Sequence, residues 1–424
     1  MRITVLTQYY DPEPVPIPGQ IARHLAAAGH DVRVVTGLPN YPEGRLYAGY
    51  LNRSHIEHGD GIPVHRVRSF LSHSSSGLGR VMSYGTFAVA AGVRVQKILR
   101  NSDVVYVYAT QMTASIPALL ARLSGAQVPY VLHIQDLWPE SVTESSMLPA
   151  WLAGPARIAM RPWLALTYRR AASIIAIAPT MAHGLKERAG AAADVRLVYN
   201  WSGKTVNPTR PRDRRTPPGS LRVLYGGNLG DLQDLETVVE AVRQVARRRS
   251  VEWRIAGGGS AEVRIRAAAA DLVDAGVVSF LGRLNQQELL RHEDWADAHI
   301  VPLKDLGIFR GTVPSKFQNA MASGIPVITT VPGDVTEIVS RHHLGLVAPP
   351  ENASALAAAF DTLAEMPPAA YRAMSERCMS FYALSMSAES GLEQIEAILV
   401  SAATRQPRST PSHPDPLGAL HDQS

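Results

Sequence analysis

Leu221-Arg222-Val223-Leu224-Tyr225-Gly226-Gly227-Asn228-Leu229-Gly230 is the stretch that decides the fold. A short apolar run ends in a glycine cluster, and a helical period containing residues 236–245 follows. Strand, glycine turn and helix together open a parallel α/β unit. Such units hold ligands in the loops past the carboxyl ends of their strands. Glycines let backbone approach a ligand closely, and the next helix N-terminus favours phosphate. A tight turn with no ligand has the same composition. Asp231 at the helix start can cap it, and would oppose a phosphate placed directly there.

The same alternation extends downstream, with strands expected at 251–256, 278–281, 299–301, 326–329 and 346–348. Upstream lies Asn207-Pro-Thr-Arg-Pro-Arg-Asp-Arg-Arg-Thr-Pro-Pro-Gly219, dense in proline and arginine with no apolar period, which is linker chemistry. Before it, strands are expected at 3–6, 32–36, 63–67, 104–109, 130–134, 173–178 and 195–198. Helical patterns at 20–28, 116–123 and 181–187 separate them. The fold class is therefore α/β, two Rossmann-like doubly wound domains at 1–203 and 220–369 joined by a linker at 204–219. A helical run leads from Pro368 to residue 403, and the polar, proline-rich residues 404–424 are expected to be disordered.

Composition excludes several classes. The 424 residues, 46% hydrophobic and 19% charged, suit two globular domains. One cysteine, Cys378, rules out an intrachain disulfide and a cysteine-built metal site, and points to a packed thiol in a reducing compartment. The chain opens on a strand pattern, so no secretory signal is expected, and no apolar run is long enough to span a bilayer. The net charge of +5 and pI near 9.3 come with no nucleic-acid motif. Anionic lipid or phosphorylated substrates account for that balance equally well.

A second anion-site pattern is Gly311-Thr312-Val313-Pro314-Ser315-Lys316, opening a helix that Gly324 stops. Thr312, Val313 and Ser315 offer backbone or hydroxyl donors and Lys316 a cation. A purely structural helix start has the same proline and threonine, and a solvated lysine is the ordinary alternative. Gly203-Lys204-Thr205 imitates a Walker A ending, but Val198 stands where its leading glycine belongs. Gly257-Gly258-Gly259 follows a strand, but Glu262 occupies the third position of a dinucleotide fingerprint.

In the first half, His133-Ile134-Gln135-Asp136-Leu137-Trp138-Pro139-Glu140 leaves a strand end and gathers polar groups there. A core histidine and a helix-capping carboxylate would look the same. The loop Gln8-Tyr9-Tyr10-Asp11-Pro12-Glu13 leaves the first strand toward the same cleft. Residues 78–100 and 157–170 interleave arginines with large apolar residues, a pattern shared by interfacial helices and by ordinary core faces with solvated arginines.

With these loops in place, the chain resembles a GT4-family glycosyltransferase, and within that family the WcaI- and WbuB-like subgroup of bacterial cell-surface polysaccharide enzymes. The likeness rests on residues 6–13, on Val35-Thr36-Gly37-Leu38-Pro39-Asn40-Tyr41-Pro42-Glu43-Gly44, and on His133 to Glu140. It rests equally on Tyr225 to Gly230, Pro302-Leu303-Lys304-Asp305 and residues 313–327. The resemblance implies a GT-B fold with its cleft between the domains, and a last helix that returns to the first domain. It implies that Gly227, Asn228, Leu229, Gly230, Thr312, Val313, Ser315 and Lys316 hold the diphosphate of a nucleotide-sugar, and that Arg310 also binds the nucleotide-sugar. Arg283 and Leu284 would contact the base, and Asn319 and Glu337 ribose or sugar hydroxyls. Glu13, Gln135 and Asp136 would lie on the acceptor side.

Two departures stand out. The family's paired glutamates correspond here to Gly311 and Asn319, and its histidine before Asp-Leu-Trp-Pro is Gln135, with His133 two residues earlier. What the resemblance implies is retaining, metal-independent transfer to a lipid-linked or polysaccharide-precursor acceptor. Lys316 would stabilise the leaving diphosphate, and Asp136 and His133 would orient acceptor or sugar. No cofactor is expected, the nucleotide-sugar being a co-substrate, which the resemblance implies is UDP-linked and carries a hexose or N-acetylated amino sugar. The expected location is cytoplasmic, peripheral on the inner membrane face through 78–100 and 157–170. A nucleotide-sugar epimerase on the same architecture and a non-catalytic nucleotide-sugar-binding protein are the competing classes.

Overall fold

The computed structural model describes residues 1–71, 77–143, 150–201 and 211–405. The Gly203-Lys204-Thr205 triplet, the first part of the expected linker and the tail from 406 lie outside these residues.

The first sheet contains β1 (Arg2–Thr7), β2 (Asp31–Thr36), β3 (His55–Gly59), β4 (Ile62–Arg66), β5 (Val104–Ala109), β6 (Tyr130–Ile134), β7 (Ser173–Ala176) and β8 (Val195–Leu197). Its order is β3-β4-β2-β1-β5-β6-β7-β8. Every pairing is parallel except the β3–β4 hairpin. The second sheet contains β9 (Ser220–Gly226), β10 (Ser250–Ala256), β11 (Val278–Gly282), β12 (Ala298–Val301), β13 (Val327–Thr329) and β14 (Gly345–Val347). It is parallel throughout, in the order β11-β10-β9-β12-β13-β14. In both sheets the order reverses at one central pair, β1/β5 and β9/β12. There the flanking loops part and leave a crevice at the carboxyl edge.

Both faces of each sheet are covered, which is why the central strands read as continuous apolar runs. On one face of the first sheet pack α1 (Pro16–Ala27) and, from the far end of the chain, Ile395 and Leu399. On the other pack α2 (Gly77–Arg94), α3 (Ile116–Leu123), α4 (Ala150–Arg170) and α5 (Pro179–Ala189), through Phe87, Ala118, Leu164 and Leu185. In the second domain, α6 (Leu235–Ala246) covers one face. The other carries α7 (Ser315–Ala322) and α8 (Asp334–His342).

β3 was not expected. Its sequence, His-Ile-Glu-His-Gly, has one large apolar residue and sits at the sheet edge, where no buried face imposes a pattern.

The C-terminal helical run is two helices. α9 (Pro368–Phe381) and the π-turn at 382–386 pack on the second domain through Tyr371, Cys378 and Met386. Only α10 (Ala388–Thr404), begun by the Ser387 side chain capping Ser390 N–H, packs on the first. The return to the first domain therefore occurs near residue 387, well beyond Pro368. Beside it, Trp201 fits against Gly391, where an added Cβ would lie 2.5 Å from the indole ring.

The described part of the expected linker is anchored. Arg215 N–H donates to Asp297 at 2.7 Å, Thr216 Oγ1 to the same carboxylate at 2.7 Å, and Arg212 reaches the Glu293 carbonyl. Cys378 is fully buried, and burial lifts its thiol far above the usual range. Among the described residues no helix is long and apolar enough to cross a membrane.

Candidate active site

The two anion-site patterns, almost ninety residues apart, meet at one lysine. α7 begins just after Pro314, whose φ of −65° sets up the first turn. Among the described residues the N–H groups of Ser315 and Lys316 have no acceptor, as is usual at a helix start. The Lys316 side chain runs to the loop after β9. Its Nζ lies 4.9 Å from the centre of the Tyr225 ring, and its Cε would be 2.3 Å from any Cβ at Gly227. Gly227, at φ 147°, is glycine because the lysine lies across it.

No carboxylate among the described residues comes within ion-pair distance of this ammonium. Burial lowers its pKa to about 8. A half-buried cation with an aromatic face below it and two unbonded N–H groups at its own helix start is prepared for an anion.

The glycine loop itself contributes less than expected. Gly227 N–H already bonds Ala256 O at 2.8 Å, Leu229 N–H bonds Gly258 O at 3.1 Å, and Gly230 N–H bonds Gln233 Oε1 at 2.9 Å. Leu229 is a core residue with no exposed surface. The loop is glycine-rich largely because Gly257 and Gly259 pack directly on it; a Cβ on either would fall within 2.5 Å of the carbonyl oxygens of Gly227 or Leu229. Asn228 is the loop residue left exposed to the crevice.

Other expected donor-side residues are dispersed. Arg283 lies exposed beside Gly258, with Leu284 half-buried next to it. Arg310 is exposed and 3.6 Å from Asp305. Glu337 is exposed on α8 and pairs with Arg341 at 3.0 Å. Thr312 N–H donates to Phe309 O, Val313 packs against the cores of both domains, and Asn319 is half-buried on α7.

The first-domain bank has different chemistry. Glu13 is 3% exposed, and its carboxylate accepts from the N–H groups of Tyr10, Asn40 and Tyr41 at 3.1, 2.8 and 2.8 Å. It ties two loops together and offers nothing to a ligand. His133 is wholly buried in β6, with Nδ1 2.6 Å from Tyr106 Oη. Its edge meets Tyr108, and burial lowers its pKa to about 3, so the ring is neutral. The expectation that His133 orients substrate directly is corrected by this burial, because no ligand atom can reach the ring.

Asp136 does face the crevice. Surrounding protein raises its carboxyl above the usual range while leaving it exposed. Beside it, Gln135 Oε1 accepts from Asn200 Nδ2 at 2.7 Å. Asn200 had no place in the sequence reading, although it directly precedes the break in pattern after Trp201.

The two banks touch through Thr180 and Asp334, at the first turns of α5 and α8. Thr180 N–H and Oγ1 donate to the Asp334 carboxylate at 3.0 and 2.7 Å. One carboxylate thus serves two helix starts. Gly311 lies against the same threonine, where an added Cβ would be 3.4 Å from its side chain. These contacts set the carboxyl ends of the two sheets face to face. Tyr225, Thr180 and Asp334 were missed in the sequence because nothing in their local patterns marks a partner more than ninety residues away. Among the described residues no three His, Cys, Asp or Glu side chains gather as a metal centre requires.

Known proteins share this fold. The family description "Glycosyl transferase 4-like domain" matches residues 16–201, and "Glycosyl transferases group 1" matches 220–366. WcaI of Escherichia coli K12, named for colanic acid biosynthesis, is 28% identical over 351 residues, 78% of this chain and 83% of WcaI. A glycogen synthase of Mycobacterium tuberculosis is 25% identical over 390 residues, 88% of each chain. The sucrose-phosphate synthase structure from Thermosynechococcus elongatus superposes with a TM-score of 0.64 at 18% identity, over 95% of this chain and 98% of that one. Anabaena HepE in complex with UDP gives 0.61 at 16% identity, over 95% and 100%. Two matched domain families covering most of the chain, on this two-sheet architecture, make the protein a member of the GT4-type glycosyltransferases with the GT-B fold.

Proposed function

We propose that the chain transfers a sugar, with anomeric retention, from a nucleoside diphosphate sugar to a lipid-linked or polysaccharide-precursor acceptor. The observation that carries this reading is Lys316, a half-buried ammonium with no carboxylate partner, lying across Gly227 at the start of α7. Charge appears on the diphosphate as the glycosidic bond breaks. A preorganised cation and two helix N–H groups stabilise it without a metal ion. The second domain holds the donor and the first the acceptor, with Asp136 as the exposed first-domain carboxylate. Attack comes from the side the diphosphate leaves, and that phosphate takes the acceptor's proton, so no enzymatic nucleophile is needed. HepE has been solved with UDP, and WcaI is named for colanic acid biosynthesis; the first favours this donor class and the second this acceptor class.

Membrane contact belongs to the same reading. Between Asp60 and Asp136 the chain has one acidic residue, Asp103, and from 145 to 186 it has none. α2, α3 and α4, which these stretches build, form one layer and expose Met82, Val89, Val93, Leu120, Leu123, Trp151 and Ile158, among them Trp151 at 76% and Val93 at 75%. Arg94, Arg157 and Arg161 stand exposed among them. Apolar side chains ringed by exposed cations fit the inner leaflet of an anionic membrane.

The test is incubation of the purified chain with a panel of nucleotide-sugars, with and without polyprenyl-diphosphate-linked sugars, read by mass spectrometry. An acceptor-dependent product one sugar heavier is expected. Isomerised donor without acceptor would instead make the chain an epimerase, and saturable binding without turnover would make it a binding protein.

A further inference from the structure

At the opposite end of the first sheet from the cleft, a concavity of about 380 Å³ is built from four separate pieces of chain. α3 and its following turn contribute Arg122 and Gln127, the end of α4 contributes Arg169 and Arg170, the start of β8 contributes Asp194, and the last described residue after α10 is Arg405. Asp194 is already matched: its two oxygens take Arg196 at 2.7 Å and Arg405 at 2.9 Å. Arg122, Arg169 and Arg170 have no carboxylate within ion-pair distance among the described residues. Arg122 and Arg170 both lie close enough to the buried Tyr130 hydroxyl to favour its ionised form against the burial that opposes it.

A cation in the last turn of a helix ordinarily answers that helix's own carbonyls. Dipole compensation would leave one arginine on each helix, spread over the surface. Here Arg122, Arg169 and Arg170, from two helices, open into one half-enclosed space, where like charges repel unless an anion lies between them; Arg405 is already answered by Asp194. Guanidinium groups match phosphate oxygens in paired hydrogen bonds, which favours phosphate over a carboxylate.

We propose that this concavity is an anion site for a phosphate-bearing group, either the phosphodiester of a lipid headgroup or free inorganic phosphate. It stands apart from the donor cleft and does not depend on glycosyl transfer. A second concavity adjoins it, sharing Gln127, Pro129 and Arg405 and adding Arg100, and exposed Leu123 follows Arg122 on α3. A headgroup seated here would thus have its acyl chains beside the apolar layer of α2, α3 and α4.

The experiment uses the full chain carrying R122Q/R170Q, with R122K/R170K as the charge-conserving variant and R157Q/R161Q as a control that removes the same charge elsewhere on α4. All three are compared by circular dichroism and Tm to establish folding. In one arm inorganic phosphate is titrated at constant ionic strength and the Tm rise is followed. In the other, flotation is measured with vesicles of phosphatidylglycerol and phosphatidylcholine. If the source is free phosphate, the parent saturates, R122Q/R170Q binds about fivefold or more weakly, and R122K/R170K keeps most of the affinity. If it is a headgroup, phosphate alone gives no saturation, and R122Q/R170Q lowers vesicle partition by about twentyfold, clearly more than R157Q/R161Q does. The proposal is overturned if R122Q/R170Q matches the parent toward phosphate and matches R157Q/R161Q toward vesicles.

Discussion

The two banks of the cleft carry comparable numbers of polar residues and use them in opposite ways. On the second-domain bank, Lys316 and the first N–H groups of α7 are uncommitted. On the first-domain bank, Glu13 accepts from three backbone donors and His133 is sealed inside the sheet against Tyr106 and Tyr108. A polar residue in a cleft loop is a ligand group only if the fold has not already consumed it. One bank is prepared in advance for a small anion; the other spends its charge on shaping loops and leaves Asp136 alone at the surface.

The largest expected effect lies on the prepared bank. Lys316→Ala should lower turnover by about 10²–10³-fold, as the loss of one strong donor to a developing oxyanion does, with little change in Tm. The same lysine gives the contrast a pH signature. With its pKa lowered to about 8, it is cationic below that pH and neutral above it. Donor affinity should therefore fall as pH rises through about 8, and the Lys316→Ala profile should be flat there. Retained turnover in the variant would place the anion elsewhere and erase the difference between the banks.

Glu13→Ala should show the converse. Three N–H groups, two of them buried, lose their acceptor, at a cost of about 3 kcal/mol in urea unfolding, while the folded fraction keeps its KM for donor. A variant of normal stability with a lost acceptor response would return Glu13 to the ligand-binding groups. His133→Phe should do least. One buried hydrogen bond to Tyr106 is lost, about 1 kcal/mol, with kcat within about twofold of the parent. A fall of a hundredfold in kcat at unchanged stability would mean that the buried ring acts on the cleft through its neighbours.

Period and punctuation made most of the fold legible. Buried strands such as Val104–Ala109 and Tyr130–Ile134, and the helix Ile116–Leu123, have the bounds their apolar patterns predict. β3 escaped because an exposed edge strand needs no pattern. The break at 382–387 escaped because Tyr-Ala-Leu-Ser-Met-Ser holds no glycine or proline to mark where the chain changes which core it serves. In the site, Lys316 and the glycine loop were legible from local chemistry. That Gly227 exists to let Lys316 pass, and that Gly257 and Gly259 exist to let two loops touch, are facts of three-dimensional approach. Sequence marks the glycine and says nothing of what comes near it.

The contact of Trp201 with Gly391 has a mechanical consequence. Trp201, the last residue described before the linker, lies against α10 just past Ser387, where the chain returns from the second domain. Two points of attachment held side by side work like the paired knuckles of a door: they allow swinging about the line that joins them and resist sliding along it. The Thr180–Asp334 bond then acts as a catch on the free edge, beside Val313 packed between the two cores, and opening the protein means releasing both.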